Sequence, residues 1–164
     1  MDERSSFTRS QRAGLHERQV DQDRTLAAIH QLEAALAEAA PRRERQWRTS
    51  VASALAELDE ATAQEFQNAE EPDSLLADIK RTQPRLRTRV RGVRAHYRQL
   101  RESITAVRGE LEEPGDQTDF AEIRQRLAWV LTVLHHVRAS ESDLIFDAYY
   151  EAFNIDLGDD NAAD

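Results

Sequence analysis

Apolar residues recur every three or four positions along most of this chain, and they do not show the two-residue alternation of a strand. The cleanest run is Leu86, Val90, Val93, Tyr97, Leu100, Ile104, Val107 and Leu111. Its sustained 3-4 spacing predicts a helix from Pro84 to about Glu112, built for near-parallel packing against other helices. Leu127, Val130, Leu134, Val137, Leu144 and Ala148 predict a helix over about 118–152. Trp47, Val51, Ala54, Leu58 and Ala61 predict one over about 43–70, and Leu15, Leu26, Ile29 and Leu36 one over about 11–39. Pro41 stops the first of these and Pro72 ends the second. Asp73 or Ser74 can cap a short helix from Leu75 to about Thr82, and Glu112 to Asp116, with Pro114 and Gly115, reads as a turn. The expected fold is all-α: an antiparallel up-down-up-down four-helix bundle over 11–152 with one short linking helix. A flexible N-terminus (1–10) precedes it and an acidic tail (153–164) follows.

Composition agrees with that pattern. Glycine (5) and proline (4) are scarce, and most of the charged and apolar residues are good helix formers. The absence of cysteine excludes a disulfide framework, a thiolate metal site and a cysteine nucleophile. No apolar run is long enough to span a bilayer and no secretory leader opens the sequence, so a soluble, cytoplasmic protein is expected. A net charge of -9 argues against non-specific nucleic-acid binding.

Chemistry enters where polar residues interrupt the apolar stripes. Glu141 falls on the stripe of the last long helix and Glu65 continues that of the second. A buried carboxylate is costly unless a metal, a cation or a shared proton compensates it. His96 lies beside the third stripe and His136 shortly before Glu141. The first helix offers Gln22 or Asp23, and the end of the second offers Glu70. Asp23 also shares a row with His16 and His30, seven residues apart, which reads first as a solvated flank. Helical bundles build metal sites from inward carboxylates and imidazoles, which suit iron, manganese or zinc.

Three segments resemble the hemerythrin-like (HHE cation-binding) domain family. Phe66-Gln-Asn-Ala-Glu70 with Pro84-Arg-Leu86 is similar to that family's second-helix motif and the linker after it. Val93-Arg-Ala-His96-Tyr-Arg-Gln-Leu100 is similar to its third-helix segment. His136-Val-Arg-Ala-Ser-Glu141, with Ala148-Tyr149 and Asp156-Leu-Gly158, is similar to its fourth-helix motif and ending. The resemblance implies a non-haem di-iron or mono-iron centre, used for iron binding or for oxygen and redox sensing, with Asp23, Glu65, Glu70, His96, His136 and Glu141 as the metal set. The pattern also departs from the family. Gln22 or Asp23 stands at the first-helix histidine, and Phe66, with Glu65 beside it, at the second-helix one. Either acidic residues substitute and a carboxylate-richer site survives, or the site is degenerate and Glu141 pairs with an arginine or a histidine instead.

A rival site lies on the third helix. From Ile79 to Arg101 there are nine Lys/Arg and no Asp/Glu, and Arg87, Arg91, Arg94, Arg98 and Arg101 form one row. Such a row either docks an acidic partner or forms an ion-pair seam against neighbours such as Glu33, Glu38, Glu57, Glu60 or Glu122. The first function makes the chain a metal-free interaction module, working with a protein partner or as a homo-oligomer. No arrangement of a catalytic nucleophile is visible, so an enzyme such as a carboxylate-bridged oxidase is the weakest of the three readings.

Overall fold

The computed structural model describes residues 6–38, 43–113, 115 and 119–160, with side chains from 156 to 160 excepted. Pro41, Pro114 and Asp116 lie outside the described residues. The described residues are helical throughout, with no strand: α1 (Arg9–Ala37), α2 (Glu44–Glu70), α3 (Leu75–Thr82), a 3-10 turn (Pro84–Leu86), α4 (Arg87–Glu112), α5 (Phe120–Ala148) and α6 (Tyr150–Asp160). None of these helices is long and apolar enough to cross a membrane.

The helix starts follow from side chains that satisfy the free N–H groups of a first turn. Thr8 and Gln11 form a capping box at α1. Ser74 caps α3, accepting from the Ala77 N–H at 3.2 Å. Asp119 caps α5, accepting from the N–H groups of Ala121 and Glu122. The chain is ordered earlier than the expected flexible stretch allows, because Phe7 is buried, with its ring 5.6 Å from Tyr149 and 4.9 Å from Phe153.

Bonds between neighbouring helices run in opposite chain order. Thr25 and Asp21 of α1 meet Glu65 and Asn68 of α2. Asp59 and Glu70 of α2 meet Arg101 and Arg94 of α4. Glu110, Tyr97 and Arg89 of α4 meet Arg126, Glu141 and Asp147 of α5. Glu33 and Arg18 of α1 meet His135 and Glu141 of α5. The interior between them takes every residue of the predicted α4 stripe and the whole α2 stripe. On α1 the stripe differs from expectation: Leu26 is exposed, and Thr25, Ile29, Leu32 and Leu36 face inward. Gly14 lets α3 close over α1, since a Cβ there would sit 3.1 Å from the Leu75 side chain.

The C-terminal end also departs from the predicted tail. Helix α5 breaks at Tyr149 (φ -115, ψ 23), and the backbone is helical again as α6. The Tyr149 hydroxyl donates to Asp78 Oδ2 at 2.7 Å, holding the break against α3.

Candidate functional site

Where α1, α2, α4 and α5 meet, toward the C-terminal ends of α2 and α5, the apolar interior gives way to one polar layer. Tyr97 points its hydroxyl between two glutamates, 2.8 Å from Glu141 Oε2 and 3.2 Å from Glu65 Oε1. The Thr25 hydroxyl donates to Glu65 Oε2 at 2.7 Å. The Arg18 Nε lies 3.4 Å from Glu141 Oε1, while its Nη2 donates to Ser142 at 3.0 Å. Arg138 places Nη1 3.5 Å from Glu65 Oε2 and donates from Nη2 to the Gln22 carbonyl at 3.1 Å. All four long helices contribute, because positions 18 and 25, and positions 138 and 141, each share a helix face at heptad or half-heptad spacing.

Counting hydrogens assigns the charges. A phenol carries a single hydrogen and can donate once. The shorter contact gives that hydrogen to Glu141. The contact to Glu65 is then a hydrogen bond only if the Glu65 carboxyl is protonated and donates to the phenol oxygen. Burial favours this form: desolvation raises the Glu65 carboxyl above the usual carboxylate range, and the charge of Glu141 adds to it, against the Thr25 hydrogen bond, Arg138 and Tyr97. The Tyr97 hydroxyl is pushed far above its ordinary value by burial and by both glutamates, so it remains a donor and not a phenolate. Each glutamate also has a guanidinium beside it, Arg18 at Glu141 and Arg138 at Glu65. A cavity of about 30 Å³ opens beside Arg18, Glu65, Asn68 and Glu141, room for about two waters.

Of the six residues expected to hold a metal, the structure brings two together, Glu65 and Glu141. Asp23 is exposed and accepts from Gln19 at 2.9 Å, within the solvated flank it shares with His16 and His30. Glu70 is exposed and faces Arg94 at 3.4 Å. His96 and His136 are both exposed, on the outer faces of α4 and α5. Phe66 lies against the core, its ring 6.3 Å from that of Tyr97. Among the described residues no group of three or more His, Cys, Asp or Glu side chains is placed to hold a metal ion. The donor set around Glu65 and Glu141 is therefore two carboxylates, a phenol and a threonine, flanked by two guanidinium groups. Cations already occupy the charge role that a metal would fill, and this set does not fit an iron centre.

Sequence reasoning reached Glu65 and Glu141 but missed Thr25, Tyr97, Arg18 and Arg138 as their partners. Tyr97 could have been found, as the one stripe residue of α4 with a hydroxyl. Arg138 lies three residues before Glu141, on the same face.

The arginine row divides. Arg101 forms an ion pair with Asp59, which also takes Arg108 at 2.8 Å, and Arg94 faces Glu70. These acids were not among the expected seam partners; Glu33, which was, meets His135 at 3.3 Å. Asp59 is buried on α2, facing α4, where its charge needs cations. Arg87 donates to the Lys80 carbonyl at 2.9 Å and Arg91 to the Thr88 hydroxyl at 3.4 Å. Arg87, Arg91 and Arg98 are exposed, and among the described residues none of them forms an ion pair with a carboxylate.

No protein-family model matches the chain, and neither a curated protein nor a solved structure matches it.

Proposed function

We propose that the chain is an antiparallel up-down-up-down four-helix bundle of hemerythrin-like layout that works without a metal, as an interaction module docking an acidic partner through the outer arginines of α4. The observation behind this reading is the split in the arginine row. Arg94 and Arg101 are engaged by carboxylates of α2, while Arg87, Arg91 and Arg98 are exposed on the same helix with no carboxylate partner among the described residues. Guanidinium forks suit carboxylates, and three on one helix face recognise an extended acidic segment better than one does. The metal-free half of the reading is supported by Arg18 and Arg138, which sit beside the two buried glutamates.

Two measurements test it. A fluorescein-labelled polyglutamate peptide should bind the wild type at low salt and lose at least tenfold in affinity on Arg91→Glu plus Arg98→Glu, with His96→Ala unchanged. Equal binding by the double variant overturns the docking site. Protein from iron-supplemented cells should hold less than about a tenth of an equivalent of transition metal. A full equivalent, lost in Glu141→Ala, restores the iron-centre reading.

A further inference from the structure

Charge is distributed along this chain in two blocks. No lysine, arginine or histidine follows Arg138, whereas acidic residues continue from Glu141 to Asp164. That acidic block also exposes aromatic surface. Phe146 is 50 % exposed and Tyr150 54 %, with their rings edge to face at 5.5 Å, and Phe146 stacks on Phe153 at 5.7 Å. The shelf is fixed, because Phe153 packs on the buried Phe7 and Tyr149 is tied to Asp78. Large exposed aromatic rings beside Asp143 and Glu151, which are exposed and form no ion pair among the described residues, suit a cationic partner with flat faces, which describes guanidinium groups.

The partner with that chemistry is present on the same molecule but on another face. Arg87, Arg91 and Arg98 are exposed on α4 and without carboxylate partners among the described residues. Asp147 is already held by Arg85 and Arg89, so the acidic end engages the near arginines and leaves these three over. We infer that the acidic aromatic end of one copy docks on the outer arginines of α4 of a second copy. This rests on the arginine docking site proposed above and names its acidic partner as this chain's own C-terminal end. The two surfaces differ, so the contact is heterologous: each copy offers one donor face and one acceptor face, and association grows head to tail. The net charge of -9 opposes it, so the association is weak and favoured by short-range pairing, not by overall attraction.

Sedimentation of the full chain tests this. Wild type should gain mass with concentration between about 10 μM and 1 mM in low salt, and lose that gain in about 0.5 M salt, as screened charge pairs do. Arg91→Glu plus Arg98→Glu should be monomeric, and so should Phe146→Ser plus Glu151→Arg. All four positions are exposed, so circular dichroism and melting should match wild type. Mixing the two variants should yield a one-to-one complex, since each retains the surface the other lacks. A wild type that remains monomeric, either variant associating as wild type does, or a mixture without complex overturns the inference. If the wild type remains monomeric yet binds polyglutamate through Arg91 and Arg98, self-docking falls and the docking site stands. If the arginine variant binds polyglutamate unchanged, the docking site itself falls.

Discussion

The two halves of the helical interior are built on different rules. In one, Leu32, Leu36, Val51, Leu55, Ile104, Val107, Ile123 and Leu127 meet with no polar atom of their own to satisfy. In the other, Thr25, Glu65, Tyr97 and Glu141 hold the same inward positions on the same four helices. The apolar half depends on volume, so any residue of similar shape can serve. The polar half depends on partners, since each oxygen is acceptable only while a specific hydrogen faces it. Damage should therefore spread differently: a loss of contact in the first, and a mismatch of charge or hydrogen bonding in the second.

Four substitutions sharpen that contrast, and urea unfolding measures each. Leu127→Ala in the apolar half should cost about 2–5 kcal/mol, independent of pH, because it leaves a cavity in a fully buried site. Tyr97→Phe keeps the volume but removes the hydrogen given to Glu141, and should cost about 1–3 kcal/mol at neutral pH. A cost near zero would mean that the layer is held by its arginines alone. Glu65→Gln should cost less than about 1 kcal/mol at neutral pH, because the amide keeps an acceptor for Thr25 and offers a donor to the Tyr97 oxygen. Its signature lies in the pH profile. A carboxyl raised in the folded state supports folding fully below about pH 4.5, where the unfolded glutamate is also protonated, and that support is lost as pH rises through the higher folded value. Wild type should thus lose stability relative to Glu65→Gln as pH is raised above about 4.5. Parallel profiles would show that Glu65 titrates alike in the folded and unfolded states, and that burial does not raise it. Asp147→Asn should have the smallest effect, since its pairs with Arg85 and Arg89 lie at the surface. Its carboxyl is lowered, first by the Arg85 hydrogen bond, so what it contributes is present at neutral pH and is lost on acidification.

This contrast also explains what the sequence made legible. The stripes of α2 and α4 were readable because a fully buried face must be apolar at every turn, and both helices are polar elsewhere. Leu26 misled because an exposed leucine carries the same letter as a buried one; the first helix is apolar on more than its inner side, with Val20 and Leu26 both in solvent. Glu65 and Glu141 stood out as charges on apolar stripes, and that anomaly located the polar layer. Their partners were hidden because partnership is a property of facing helices. Arg18 and Arg138 look like any surface arginine until α1 and α5 are laid side by side. His96 and His136 drew attention by residue type, yet the helix phase turns both into solvent. Extension of the helix past residue 152 was unreadable for a related reason: it depends on Phe7 and Asp78, far away in the chain.

Asp78 has a consequence of its own. Its Oδ2 accepts from Gln11 Nε2 at 3.1 Å and from the Tyr149 hydroxyl at 2.7 Å, and its Oδ1 accepts from Arg81 at 2.6 Å. One carboxylate thus clasps the beginning of the first rod, the short third helix and the joint before the last. The start of α1 and the junction of α5 with α6 are therefore neighbours in space. Loss of that single side chain should therefore loosen three stretches far apart in the chain at once.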